Sequence, residues 1–289
     1  MSERIFQTLA QWLAEVPVVL ASVIETRGAT PRKRGSRMLI GHGRRAFSIG
    51  GGLAEASVIE AAETLLERSG DHANVAIDLS GKPGASGVCG GAMRIALRRW
   101  SGQPDRTRAR HIAGELAKGR KTQLHATEFG GDRDETLLPN ARLLIVGGGH
   151  CAAALCDLAS FLDYDLWVHD ERQAILDSPA FAVAQRISGA MNSLRQAFAT
   201  ERLLQVVLLN RDFVSDVAAL RAIAGLKPDF IGMMGSKRRI AEVLTALPDQ
   251  PDLASRLRAP IGVDIDAQTP HEIAISILAQ LIAAKSPTC

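Results

Sequence analysis

The rhythm of apolar and polar positions changes near residue 140, and the change predicts two architectures. Residues 4–15 follow helical spacing and stop before Pro17, which predicts a short amphipathic helix. Val18 to Ile24 is an apolar, β-branched run that reads as a buried strand. A loop by composition follows, Glu25 to Arg32, and then two short strands at Met38–Ile40 and Ala46–Ile49, joined by Gly41-His42-Gly43. Gly50-Gly51-Gly52 leads into a helical stretch from Leu53 to Arg68. Val75–Leu79 and Met93–Leu97 read as strands on either side of a segment, Gly81–Gly91, with five glycines in eleven residues.

Residues 101–140 are polar, charged and end near Pro139, which predicts a linker containing at most a helix at 111–119. From Arg142 strands and helices alternate. Strands are expected at Leu143–Val146, Leu166–His169, Gln205–Leu209 and Phe230–Met233. Helices are expected at Cys151–Phe161, Phe213–Ala224, Ser236–Leu247 and Pro270–Ala284. Short connections between such elements are the mark of a parallel sheet covered on both faces. The expectation is an α/β protein: a mixed α/β N-terminal domain over 1–100, a linker over 101–140, and a C-terminal Rossmann-like, doubly wound parallel sheet over 141–289. The second half is too short for a full dehydrogenase.

Composition narrows the function classes. Of 289 residues, 46% are hydrophobic and 22% charged, as in a folded globular chain. Eight Phe, three Trp and one Tyr leave too few stacking platforms for a single-strand nucleic-acid binder. No apolar stretch is long enough to span a membrane, and the start, Met1-Ser2-Glu3-Arg4, lacks a signal-peptide layout, so a cytoplasmic protein is expected. Four scattered cysteines, Cys89, Cys151, Cys156 and Cys289, make neither a disulfide framework nor the C-x-x-C pairs of structural zinc. The net charge of +3 hides an uneven distribution: Arg27, Arg32, Lys33, Arg34 and Arg37 place five cations in eleven residues. That cluster fits a solvated loop or a phosphate-holding site, and is too small for a genomic DNA binder.

Three glycine-rich helix starts carry the candidate chemistry. Gly147-Gly148-Gly149-His150-Cys151-Ala152 is a G-x-G-x-x-A between strand and helix, with Asp170 at the end of the next strand, where an acid can bind a ribose 2′-hydroxyl. A nucleotide site and a Rossmann-like domain that uses these glycines only for packing both fit. Gly50, Gly51 and Gly52 form either an amide nest for an anion or a plain turn. Gly235-Ser236-Lys237 opens a helix at the ligand edge of the sheet without a Walker A pattern. Cys89, followed by Gly90-Gly91, has the open backbone that suits a metal ligand or nucleophile, whereas Cys151 and Cys156 read as core. Zincin and ordinary α/β-hydrolase motifs are absent.

Taken in order, Gly28-Ala29-Thr30-Pro31-Arg32, Ser48-Ile49-Gly50-Gly51-Gly52 with Glu55, Cys89-Gly90-Gly91, Gly147-x-Gly149-His150, Gly232-Met233-Met234-Gly235-Ser236-Lys237-Arg238 and Ile261-Gly262-x-Asp264-Ile265 resemble the XdhC/CoxI family. These are accessory proteins of xanthine dehydrogenase and related molybdenum hydroxylases. The resemblance implies a carrier that binds the molybdenum cofactor (molybdopterin or its dinucleotide form), protects it during sulfuration, and inserts it into the apo molybdenum hydroxylase. It implies contact with a cysteine desulfurase and a homo-oligomer, and an accessory protein rather than an enzyme. Arg32 and Gly50–Gly52 would hold the phosphate end and Cys89 the metal end. Gly147, Gly149, His150, Asp170, Gly235, Ser236 and Lys237 would bind NAD(P) or another nucleotide. A stand-alone NAD(P)-dependent oxidoreductase is the competing reading, and a nucleotide-sensing regulator the third. The chain departs from the family pattern at Asn210-Arg211-Asp212, where T-H-D is common, at Asp266 in place of a glycine, and at Gln280 in place of an acid.

Overall fold

The computed structural model describes residues 2–68 and 70–285; Cys289 falls outside them. The chain divides into two units, Met1–Pro139 and Asn140–Cys289.

The first unit runs α1 (Ser2–Trp12), β1 (Val18–Arg27), β2 (Arg37–Gly41), β3 (Arg44–Phe47), α2 (Gly52–Glu67), β4 (His72–Asp78), β5 (Ala92–Trp100), α3 (Gly102–Ala117), β6 (Thr122–Leu124) and β7 (Glu135–Leu137). Five strands form an antiparallel sheet in the order β3-β2-β1-β5-β4. β1 reads as continuously apolar because both its faces are covered. Val18 and Leu20 pack towards α1 and α3, while Val19, Ala21 and Val23 pack towards α2. A bulge between Val23 and Glu25 breaks the β1–β5 register just before the loop that begins at Gly28.

The segment expected to be a linker is part of this unit. Ala109, Ile112 and Leu116 recur on one face of α3 and are fully buried in the same core as Phe6 and Leu9 of α1. The charges that make the stretch look like a solvated linker are paired instead. Arg98 takes both oxygens of Asp105, Arg108 takes Glu128, and Arg34 donates to Asp132. The boundary therefore lies near residue 139, not 100.

The second unit runs β8 (Ala141–Val146), α4 (His150–Ser160), β9 (Tyr164–Asp170), α5 (Gln173–Leu176), β10 (Gln185–Ser188), β11 (Leu204–Leu208), α6 (Phe213–Ile223), β12 (Phe230–Met233), α7 (Lys237–Thr245), α8 (Pro251–Arg256), β13 (Leu257–Arg258) and α9 (Pro270–Lys285). Its six strands are parallel in the order β10-β9-β8-β11-β12-β13. Counted within this unit, that is 3-2-1-4-5-6, the doubly wound order whose direction reverses between the first and fourth strands. Alternate residues feed two cores. Leu144, Val146, Val206 and Leu208 pack with α6 and α7, and Leu143, Ile145, Val168 and Val207 with α4 and α9. The four expected strands are present, and β10 and β13 extend the sheet at its two edges.

Two departures from the family pattern keep the local geometry. Asp266 adopts φ +53°, the left-handed conformation that a glycine accepts most readily. Gln280 accepts a hydrogen bond from Gly262 N at 2.8 Å through Oε1, as a carboxylate there would.

Candidate functional sites in the two units

In the first unit, three of the sequence motifs meet around one loop. A methyl group on Gly28 would stand 2.9 Å from the Gly90 carbonyl oxygen, and one on Gly91 would stand 2.3 Å from that of Ala29. On the other side, a methyl group on Gly50 would stand 2.7 Å from Cγ of Pro31. The Gly28–Arg32 loop is thus in contact with both the Cys89-Gly90-Gly91 turn and the glycine triplet before α2. The first two contacts are backbone approaches that only glycines permit, and the third is with the proline ring. Cys89 itself is exposed and free.

The triplet is a conformational device. Gly50, Gly51 and Gly52 sit at φ +140°, +80° and +64°, and Gly51 ends the turn as the N-cap of α2 without any side chain capping the helix. The first amides of a sixteen-residue helix are therefore left for another acceptor. The structure also sorts the basic cluster. Arg27 is paired with Glu25, Arg34 with Asp132, and Arg37, almost fully buried, with Glu135. Burial pushes the Arg37 guanidinium below its ordinary range, against the pull of Glu135. Arg32 and Lys33 are exposed. An open groove of about 640 Å³ beside the triplet brings Gly52 together with Ser48, Phe47 and Glu55. Among the described residues no group of three or more His, Cys, Asp or Glu side chains is placed to hold a metal ion, so Cys89 stands as a lone soft donor.

In the second unit a cleft of about 260 Å³ opens at the point where the strand order reverses. Three loops line it: Gly147–Gly149 after β8, Asp170–Arg172 after β9, and Leu209–Asp212 after β11. Gly147, at φ +99°, is required by its surroundings, since a methyl group there would lie 2.9 Å from both Asn210 Oδ1 and the Leu209 carbonyl oxygen. Gly149 is not. Its φ is −76°, and a methyl group would only make ordinary contact, at 3.7 Å, with Nε of Arg211. Gly149 caps α4 with no side-chain bond, leaving the first amides of that helix open as well.

Asp170 does not fit the ribose role expected of it. Its Oδ1 accepts from Arg172 N (3.0 Å) and Arg172 Nε (2.8 Å), and its Oδ2 from Gly148 N (2.9 Å) and Arg172 Nη2 (2.8 Å). A carboxylate has roughly four acceptor positions, so the set is full. Burial opposes ionisation of Asp170, but these donors overcome it and bring its pKa down to about 2. Asp170 braces the glycine loop.

His150 is exposed at the first position of α4, and the cleft lining includes neither it nor Gly235, Ser236 or Lys237. Ser236 Oγ is used as the N-cap of α7, accepting from Arg239 N at 3.3 Å. The cation of this motif that reaches the sheet edge is Arg239. It donates to the carbonyls of Asn210, Arg211 and Met234 and pairs with the buried Asp216 at 2.9 Å. Sequence reasoning missed three cleft residues. Arg211 lies over Gly149, Arg172 holds Asp170, and His169 is fully buried in the wall, with Nε2 3.0 Å from the Gly189 carbonyl and Nδ1 without a partner. A histidine ending an otherwise apolar strand was the one available signal.

Comparison with known proteins adds the following. Residues 143–281 match the XdhC Rossmann domain, and residues 11–75 match the XdhC and CoxI family. The chain is 24% identical over 274 residues to the uncharacterized protein YqeB of Escherichia coli, covering 93% of this chain but only 44% of that protein's length. It is 27% identical over 291 residues to the molybdenum cofactor insertion chaperone PaoD of the same organism, covering 92% of this chain and 83% of that one. A crystal structure described as a xanthine dehydrogenase from Bacillus halodurans superposes with a TM-score of 0.84 at 24% identity, over 99% of this chain and 96% of that one, which shows the shared fold.

Proposed function

This chain belongs to the XdhC and CoxI family, and from that premise we propose that it binds the molybdenum cofactor and delivers it to an apo molybdenum hydroxylase of the xanthine dehydrogenase type. The observation that carries the reading is the meeting of the Gly28–Arg32, Gly50–Gly52 and Cys89–Gly91 segments in the first unit. The donor types fit the group: when bound, the cofactor would supply a phosphate and a soft, dithiolene-held metal centre. Uncapped α2 amides and the exposed Arg32 and Lys33 suit the phosphate. The exposed Cys89 thiol suits the metal end, because a thiolate is a soft ligand. Insertion belongs to this reading through the name of PaoD, and sulfuration through contact with a cysteine desulfurase is its natural extension.

The nucleotide reading is carried by a separate observation, the cleft at the strand-order reversal with its glycine loop and open α4 amides. As a stand-alone NAD(P)-dependent oxidoreductase the protein would show steady NAD(P)H turnover in the absence of pterin. As a carrier it co-purifies with pterin, and the loaded protein restores activity to an apo-hydroxylase. Turnover without bound pterin overturns the carrier reading.

A further inference from the structure

The filled acceptor set of Asp170 has a consequence for which nucleotide the second unit can take. A dinucleotide site that selects a bare ribose needs an acid with free lone pairs for the 2′- and 3′-hydroxyls. Here those lone pairs are spent on Gly148 N and on Arg172. What the loop after β9 offers instead is the Arg172 guanidinium, 60% exposed, with both Nη1 hydrogens and one on Nη2 left over from its bonds to Asp170. Asp170 also fixes the orientation of that guanidinium, so little of its freedom is left to lose when an anion arrives. Across the cleft, the Arg211 guanidinium lies beside Gly149, with Nε 3.7 Å from where a methyl group there would stand, next to the end of α4 whose amides no side chain caps. The second sign of a ligand is His169. Its buried ring lines the cleft, Nε2 faces a carbonyl and so carries the hydrogen, and Nδ1 is an acceptor with nothing to accept. Two charges in the lining oppose an anion beside Arg172: Glu171, and the ionised Asp170, whose charge is met by Arg172 and by Gly148 N; Asp212 is turned to Ser215, whose N and Oγ donate to it.

We propose that this cleft takes a nucleotide whose ribose carries a phosphate monoester, of the 2′-phosphoadenosine kind, in preference to one with a free diol. Arg172 reads the monoester, Gly149 admits the pyrophosphate, and Arg211 covers it. The inference deepens the nucleotide reading and is independent of cofactor binding in the first unit.

The test is calorimetric titration of the full chain with NADP+, NAD+, 2′,5′-ADP, 5′-ADP and CDP. NADP+ is expected to bind more tightly than NAD+ by about tenfold or more, the scale of one charge-assisted pair, and 2′,5′-ADP more tightly than 5′-ADP by a similar factor. Arg172→Gln, at an exposed position, should remove the preference for NADP+, and because it frees lone pairs on Asp170 it should leave NAD+ binding equal or tighter. In the wild-type chain, equal or tighter binding of NAD+ than of NADP+, tighter binding of CDP, or no binding of any probe would each overturn the proposal, as would an equal loss for both dinucleotides in Arg172→Gln. Pterin retention by Cys89 variants is a separate measurement, so failure of one reading is distinguishable from failure of the other.

Discussion

The glycine triplets Gly50-Gly51-Gly52 and Gly147-Gly148-Gly149 are the same string of residues before a helix, yet the two units use them differently. In the first, all three residues have positive φ, and the string is a backbone contortion that brings Gly50 against Pro31. In the second, only Gly147 has positive φ. Gly148 is small because Ile175 Cγ2 would lie 2.5 Å from a methyl group there, and Gly149 would admit a methyl group in ordinary contact with Arg211. Identical residues therefore satisfy three distinct demands: left-handed backbone, close packing, and space left for something else. Only the last points directly to a ligand.

Graded alanine substitutions sharpen that contrast. Gly147→Ala combines left-handed strain with collision against Asn210 and Leu209 backbone, and should cost about 3 kcal/mol or more. Gly52→Ala meets open space at φ +64° and should cost only the conformational penalty, about 1 kcal/mol. Denaturant unfolding of the two variants side by side measures the gap. Equal losses would mean that crowding at Gly147 relaxes away.

The cysteines extend the comparison. Cys156 is fully buried in the core under α4, and burial, with a smaller push from Asp157, raises its thiol to about 11. Cys156→Ser places a hydroxyl in that core and should destabilise by about 1–3 kcal/mol. Cys89→Ser, at an exposed position, should leave stability within about 0.5 kcal/mol and instead lower the pterin retained per chain. Pterin content and melting temperature, measured on both variants, should move in opposite patterns. Retention by Cys89→Ser at the wild-type level would leave the glycine loops to carry binding alone.

The architecture was legible where periodicity was clean. The runs at Leu143–Val146 and Gln205–Leu209 announce strands buried on both faces, and Gly147 with Ala152 announces the turn. Of helix α3 only the second half was legible, as a helix at 111–119; its first turns and its place in the core were hidden because three apolar residues, Ala109, Ile112 and Leu116, are set among charges such as Arg108, whose partner Glu128 lies twenty residues on. Strand β10 was hidden because only Ile187 of its four residues is buried. The meeting of the first-unit loops depends on contacts between segments dozens of residues apart, such as Gly28 with Gly90, which no local pattern encodes. The role of Asp170 was misread for a narrower reason. Its position is right for a ribose acid, and the identity of Arg172 does not reveal that the side chain folds back to fill the carboxylate.

That fold-back has a pH signature. Asp170 is held at about 2 against an ordinary 3.8, so its ionised form is favoured by the folded state. The stabilisation is full above the ordinary value and is lost as pH falls through the folded one, between about pH 4 and pH 2. Solvent around the exposed Arg172 reduces its size, to about 1 kcal/mol. Wild type should exceed Asp170→Asn in unfolding free energy by about that amount at pH 6, and the difference should shrink towards pH 2. A constant difference across the range would place the stabilisation elsewhere.

The smallest structural effect should accompany the clearest functional one. Gly149→Ala introduces a methyl group at φ −76°, in ordinary contact with Arg211, so no backbone strain arises. Alanine is a poorer N-cap than glycine, which sets the cost at about 1 kcal/mol or below. The same methyl group occupies the space through which a pyrophosphate would reach the open α4 amides, and those amides are the reason an anion would settle there. Dinucleotide binding should therefore fall by about tenfold or more in a protein that melts close to wild type. The comparison with Gly52→Ala completes the argument, because that variant should carry the larger strain and leave dinucleotide titrations in the second unit unchanged. If Gly149→Ala binds dinucleotide as wild type does, the room at Gly149 is incidental, and the second triplet is a turn like the first.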